Sequence, residues 1–372
     1  MQARRASGPR WSRGVPIAER GPGASFRPDD VAPSLHALHQ PAITTPVLDH
    51  VAFAALDVVS AAELGELLAG LTDAGERLMR EAHRRPGEDG PAGSLTVTIG
   101  LGPGLFAERF GLAGRRPLAL ARLPAFVGDA LDPAMCGGDL CVQVCATQPR
   151  AAEDALARLV AVAGTVARVR WSQRGWMYRA PADRPGAAPR NLLGFKDGTS
   201  NPRRGRDLDR HVWVSGRERT WMVGGTFLVV RRVRMLDAWN ALSPDEQERV
   251  IGRHRVSGAP LGGTHEFEKT PVGAEVPIDA HARVAAPRAN DGVTLLRRGY
   301  SFDDGVDAAG ERDAGLLLLL YQRDPRRQFI PLQRRVSERD ALSRFTRAVG
   351  SAIFAIPPGA RDGRCIADGL VV

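Results

Sequence analysis

The sequence predicts an α+β fold built from two related halves. Three observations carry that reading. A strand, helix, strand order runs along the chain twice. The strand segments are long and partly alternating, which marks sheets rather than buried helices. The 372 residues suffice for two domains or one large one.

Each element has its own local reason. Val47 to Leu56 reads as a strand, and Ser60 to Met79 as a helix, because Leu64, Leu67, Leu68 and Leu71 recur at three- and four-residue spacing. Leu95–Leu101 and Leu140–Ala146 alternate like half-buried strands. Ala151 to Gly164 is a helix with Leu156, Leu159, Val160 and Val162 as its apolar residues, and Val166 to Trp171 closes the first round. The second round opens with the strand Thr226 to Val233, followed by a helix over Met235 to Leu242. Ser243-Pro244-Asp245-Glu246 starts another helix: serine caps, proline fits the first turn, and the acids face the positive end of the helix dipole. Gly315 to Tyr321 is a buried strand, and Ser337 to Ala352 is expected to be a helix.

Composition narrows the function classes. Hydrophobic residues make up 43% and charged residues 25%, as in ordinary globular chains. The formal charge of +9 comes from arginine. Its pairs (Arg84-Arg85, Arg115-Arg116, Arg203-Arg204, Arg231-Arg232, Arg326-Arg327, Arg334-Arg335) are scattered without interleaved aromatics, so no nucleic-acid partner is expected. Four cysteines are too few for a disulfide scaffold, and none lies in a Cys-x-x-Cys or Cys-x-x-Cys-His string, which leaves no zinc motif and no covalent heme attachment. Cys141 and Cys145 stand on one face of a strand and read as small buried hydrophobes. No stretch of eighteen apolar residues occurs, so no transmembrane segment is expected.

The densest local signal is Gly194-Phe195-Lys196-Asp197-Gly198-Thr199-Ser200-Asn201-Pro202. By itself it is a cluster of turn formers around one carboxylate. Downstream stand Ile278-Asp279-Ala280-His281 and Leu295-Leu296-Arg297-Arg298-Gly299-Tyr300. Four further blocks keep a fixed order along the chain: Leu38 to Pro46, Thr98 to Phe106, Gly137 to Ala146 and Tyr321 to Phe329. Together they resemble the dye-decolourising heme peroxidases, and within them the exported branch that also carries the name deferrochelatase. The resemblance runs from about Leu35 to about Leu370.

The resemblance implies that each half is a ferredoxin-like unit, an antiparallel sheet with helices outside. Residues 1–34, rich in Arg, Gly, Pro and Ser with little apolar clustering, are expected to be a mobile tail; the resemblance divides the rest into an N-terminal half (35–195) and a C-terminal half (196–372) that carries most of the heme pocket. Composition does not choose among the eight histidines; the resemblance selects His281 as the proximal ligand of one noncovalent heme b per chain. It places Asp197 and Arg297 on the distal side. There a carboxylate would pass a proton between the two peroxide oxygens and a guanidinium would stabilise the charge on the leaving one. Carboxylates as a class stay ionised in acid where imidazoles do not, so activity is expected to persist at acidic pH.

Asp340 matches a carboxylate that orients the ligand histidine, although near a helix start it also reads as a surface acid. Gly198, Thr199 and Ser200 are expected beside the distal carboxylate, and Ala286, Pro287 and Arg288 near the opposite heme edge. The family commonly has Asn where this chain has Ala286, which removes one side-chain hydrogen bond. Surface radical sites are a family habit, with Tyr321 as one candidate. The implied function is reduction of hydrogen peroxide and oxidation of bulky aromatic reductants, dyes or phenols, through a ferryl intermediate. The alternatives are a deferrochelatase that takes heme as substrate and releases its iron with the porphyrin intact, or a non-catalytic heme carrier or sensor. A homo-oligomer is compatible with all three. The branch implies an extracytoplasmic location. Arg4-Arg5 lacks the apolar run that a twin-arginine signal requires, which keeps the cytosol as the alternative.

Overall fold

In the computed structural model, residues 33–84, 94–181, 183, 186–203, 205–216, 218–271 and 273–371 are described. Most of the expected tail, with Arg4-Arg5, lies outside them. The first half runs β1 (His50–Val58), α1 (Leu64–Arg84), β2 (Leu95–Leu101), β3 (Leu140–Ala146), α2 (Pro149–Ala163) and β4 (Ala167–Trp176). After α3 (Gly205–His211), the second half runs β5 (Thr226–Met235), α4 (Pro244–Ile251), α5 (His281–Val284), β6 (Leu296–Val306), β7 (Arg312–Gln322), α6 (Phe329–Arg339) and β8 (Thr346–Ile356).

All pairings between the named strands are antiparallel. The strands follow one another as β4-β1-β3-β2 and then β8-β5-β7-β6, so each half repeats the same ferredoxin-like order. The two sheets close into one eight-stranded barrel, a closure that periodicity alone did not indicate. The seams are thin. β2 meets β8 at Leu101 and Ala355, and β4 meets β6 at Trp176 and Ser301.

Alternation along each strand divides the core in two. Ala52, Ala54 and Leu56 of β1 face outward with Leu67, Leu68 and Leu71 of α1 and Leu159 of α2. Val51, Phe53 and Ala55 face the barrel interior with Trp171, Tyr300, Leu317, Leu319, Tyr321 and Phe354. Fully burying each such large side chain is worth roughly 1.5–3 kcal/mol. Cys141 and Cys145 lie in this interior, and burial pushes both thiols up from their ordinary range. All four cysteines are free. The arginine pairs are partly structural: Arg232 is buried and donates to Asp304, Asp313 and Gln173, while Arg231 is paired with Asp129.

Several expectations need correction. The segment Ser337–Ala352 is not a helix: α6 ends at Arg339, Asp340 is extended, and Thr346–Ile356 is strand β8. Its alanines favour a helix locally, but β5 needs a neighbour and pairs with β8 from Thr226↔Ile356 to Met235↔Thr346. Met235 belongs to β5, and only Asp237–Ala241 forms a short 3-10 turn in place of the expected helix. Val162 of α2 is 39% exposed. Ser243 does cap α4 in a reciprocal capping box with Glu246. Tyr321 is fully buried and donates to Gln143 Oε1 inside the barrel, so it is no surface radical site.

Candidate active site

On the outer face of the second sheet, the side chains of β7 alternate. Leu317, Leu319 and Tyr321 fill the barrel, whereas Leu316, Leu318 and Leu320 line a cavity of about 610 Å³. Helix α6 supplies the facing wall through Phe329, Leu332 and Val336. The cavity lies chiefly against the second half, with Val127, Gly128, Asp129 and the loop Asn191–Asp197 contributed from earlier in the chain.

His281 and Asp340 meet at one wall. His281 is the first residue of α5, and its Nδ1 lies 2.6 Å from Asp340 Oδ2. The Asp340 side chain is fully buried, while that of His281 remains 31% exposed. Both carboxylate oxygens are used, because Oδ1 accepts from Leu342 N at 2.9 Å and caps the next turn. A carboxylate at Nδ1 fixes that nitrogen as the donor and leaves the Nε2 lone pair free. Burial lowers the His281 pKa, but the charge and hydrogen bond of Asp340 more than offset it, so the net shift is upward. The charges of Arg297 and Asp197 also reach the imidazole, with opposite signs.

Asp197 and Arg297 meet at 3.5 Å between Oδ1 and Nη2, both partly exposed. That is an ion pair too long for a good hydrogen bond. Gly198 follows in the left-handed region at φ +91 and turns the chain so that Thr199 and Ser200 line the cavity beside Asp197. Gly299 on β6 also matters here: a Cβ at that position would stand 3.1 Å from Asp197 Oδ2 and 3.3 Å from Leu316.

The remaining expected residues fall differently. Ala286 and Pro287 line the cavity. Arg288 donates to the Thr270 carbonyl, and neither it nor Gly198 is part of the lining. Beside Ala286, the buried Asn290 amide donates to the carbonyls of Val284 and Ala286 at 3.0 and 2.8 Å.

Three features escaped the sequence reading. Arg253, two residues beyond α4, is buried and lines the cavity, with Nη1 donating to the carbonyls of Gly258 and Glu266. Burial first, and the neighbouring Arg297 charge second, lower its pKa. Lys196 sits in a buried ionic cluster with Glu266 at 2.7 Å and Asp183 at 3.4 Å, and Asp183 also pairs with Arg190 at 2.8 Å. Asn201 bonds to the backbone of Arg297. The amide inside the turn-forming run was the available signal for Asn201. Nothing in spacing marks Arg253, which lies 44 residues before Arg297 in sequence.

These residues fit a heme. The volume is that of a cofactor pocket, the broad walls are leucine and phenylalanine, one wall offers an oriented imidazole nitrogen, and polar groups gather at Asp197 and Arg297. Among the described residues no cluster of His, Cys, Asp and Glu suits a bare metal ion, and no helix is long and apolar enough to cross a membrane.

Comparison with known proteins agrees with this geometry. The Dyp-type peroxidase N-terminal and C-terminal family profiles match residues 40–177 and 188–361. A dye-decolorizing peroxidase of Thermobifida fusca is 44% identical over 292 residues, covering 75% of this chain and 67% of that protein. A deferrochelatase of Yersinia pestis is 36% identical over 352 residues, covering 87% and 81%. The structure of ferric DtpA from Streptomyces lividans superposes with a TM-score of 0.85 at 39% identity, covering 94% of this chain and all of that one.

Proposed function

This chain belongs to the Dyp-type peroxidases, and on that premise we propose that it holds one noncovalent heme b through His281 and reduces hydrogen peroxide at the Asp197 and Arg297 side. One observation carries the reading. A carboxylate-oriented imidazole and a carboxylate–guanidinium pair open onto the same cavity. No cysteine lines that cavity, which supports noncovalent binding.

Heme, when bound, supplies the electrons that split peroxide and afterwards recovers them from a reductant. The side chains do the rest. Asp340 holds the His281 proton on Nδ1 and so presents Nε2 as the donor. Asp197 takes a proton from one peroxide oxygen and returns it to the other as that oxygen departs as water. Arg297 holds positive charge beside the departing oxygen. Leu316, Leu318, Leu320 and Phe329 keep water from the broad faces.

The electrons come from bulky aromatic reductants such as dyes or phenols. We place the division between the halves near residues 195 and 196, and the protein outside the cytoplasm, the latter tested by fractionating cells that express the full chain. A non-catalytic heme carrier or sensor has no use for the distal pair. Deferrochelatase is the second reading, favoured by the relative of that name that matches 87% of the chain. It requires protons at the pyrrole nitrogens and a reductant for the metal, and the Asp197–Arg297 pair addresses an oxygen–oxygen bond instead.

One preparation tests the ranking. The heme-loaded protein is assayed for peroxide-dependent dye oxidation, and incubated anaerobically with reductant while free protoporphyrin is followed by fluorescence. Fast dye turnover with little metal-free porphyrin is expected. Stoichiometric porphyrin from protein that hardly oxidises dye would make iron release the function.

A further inference from the structure

The distal ion pair does not hold itself together. At 3.5 Å, Asp197 and Arg297 are beyond a strong hydrogen bond, and both side chains are partly exposed. Something else must fix the turn that carries the carboxylate against the strand that carries the guanidinium.

The open edge of β6 shows what does. Arg297 pairs with Leu320 of β7 on one side. On the other side β4 reaches β6 only at Ser301, so among the described residues no strand covers the Arg297 edge. The Asn201 side chain occupies that place. Its Nδ2 donates to Arg297 O at 2.7 Å, and its Oδ1 accepts from Arg297 N at 3.0 Å. A residue that exchanges both its N–H and its C=O with one partner is the hydrogen-bonded pair of an antiparallel ladder. Here a carboxamide, with donor and acceptor in one plane, stands in for the missing strand.

The same residue closes the distal turn. Asn201 N donates to Gly198 O at 3.2 Å, which leaves Asp197 four residues before the clamp on a short, closed segment. A Cβ at Gly198 would approach Asn201 Nδ2 to 3.2 Å, so the glycine leaves room for the amide as well as adopting its positive φ. The other end of the segment is tied by Asp197 N donating to Pro189 O at 2.8 Å.

We infer that Asn201 is a positioning residue: its carboxamide, paired with both backbone groups of Arg297, sets the separation of Asp197 and Arg297 and thereby the rate at which peroxide is activated. The inference rests on the distal roles proposed above. Asn201 itself is not among the residues that line the cavity.

The test compares Asn201→Ala, Asn201→Asp and Arg297→Leu with the parent, all heme-loaded. Deuterium exchange at the Arg297 amide is measured beside the stopped-flow rate with hydrogen peroxide and the KM for a dye. In Asn201→Ala the amide should exchange at least ~10-fold faster and the peroxide reaction should slow about tenfold to a hundredfold, with heme content and dye KM unchanged. Asn201→Asp keeps an acceptor for the amide but loses the donor, so amide protection should survive while the peroxide rate still falls. Unchanged exchange in Asn201→Ala would show that the clamp does not form. Faster exchange at the parental peroxide rate would reduce it to a structural tie, while the distal roles stand if Arg297→Leu is slow. An Arg297→Leu variant that reacts as fast as the parent would instead remove the distal assignment, and the positioning role with it.

Discussion

Asp340 shows how one side chain couples fold to chemistry. Its Oδ2 accepts from His281 and its Oδ1 caps the turn at Leu342. In Asp340→Asn a single oxygen must serve both, and the amide N–H₂ would face a donor in either orientation. If it turns toward His281, the proton moves to Nε2 and the lone pair proposed to hold heme is lost. Hemin titration of the variant should give an affinity weaker by about 10- to 100-fold; an unchanged affinity would mean that Asp340 does not orient the ligand. At this scale the motifs disclosed a good deal. Asp197 and Arg297 meet across a hundred residues of sequence, and His281 meets Asp340 across 59. Residue type and order, through the resemblance, named all four. Arg253 has no signal in the sequence, and the turn-forming run marks Asn201 as a polar turn residue without showing that its amide reaches the Arg297 backbone.

At the scale of elements, β6 is the hinge of the site. It carries Arg297 toward the cavity and Tyr300 into the barrel, and at Gly299 it gives up a side chain so that Asp197 can lie against it. Gly299→Ala places a methyl 3.1 Å from Asp197 Oδ2, so the carboxylate must shift. The peroxide reaction should slow about tenfold or more while heme binding through His281 persists; a parental rate in stopped flow would show that the Asp197 position tolerates the shift. The bounds of β2 and β3 match the expected ones, but both strands are buried along their whole length rather than half-buried, because helices cover one face and the barrel interior the other. Strand β8 was not legible. Its Ala, Gly and Ser residues are poor strand formers, and its conformation is set by β5 beside it rather than by local preference.

At the scale of the whole molecule, the two halves close one barrel, and the segment before β1 is packed onto it. His39 in that segment stacks on Trp213 at 3.6 Å and bonds to Gly224 O. Burial lowers its pKa from 6.5 despite that hydrogen bond and the charge of Asp209. The unfolded chain therefore binds this proton more readily than the folded one, and stability falls as pH drops through and below about 6.5. Above neutral pH both states are unprotonated and the effect vanishes. Comparing urea unfolding at pH 7.5 and 5.5, the loss of stability in acid should be smaller for His39→Phe than for the parent; equal losses would contradict the assignment. Closure of the barrel was not legible in the sequence, because the seams consist of one pair each.

The proposed site holds heme by the Nε2 of His281, with the peroxide chemistry on the Asp197 and Arg297 side. Visible and electron paramagnetic resonance spectra of ferric heme bound to the parent and to His281→Ala test it most directly. A histidine-ligated signature is expected in the parent, lost in the variant and restored when imidazole is added. Identical spectra for the two proteins would assign the ligand elsewhere and remove His281 from the heme site.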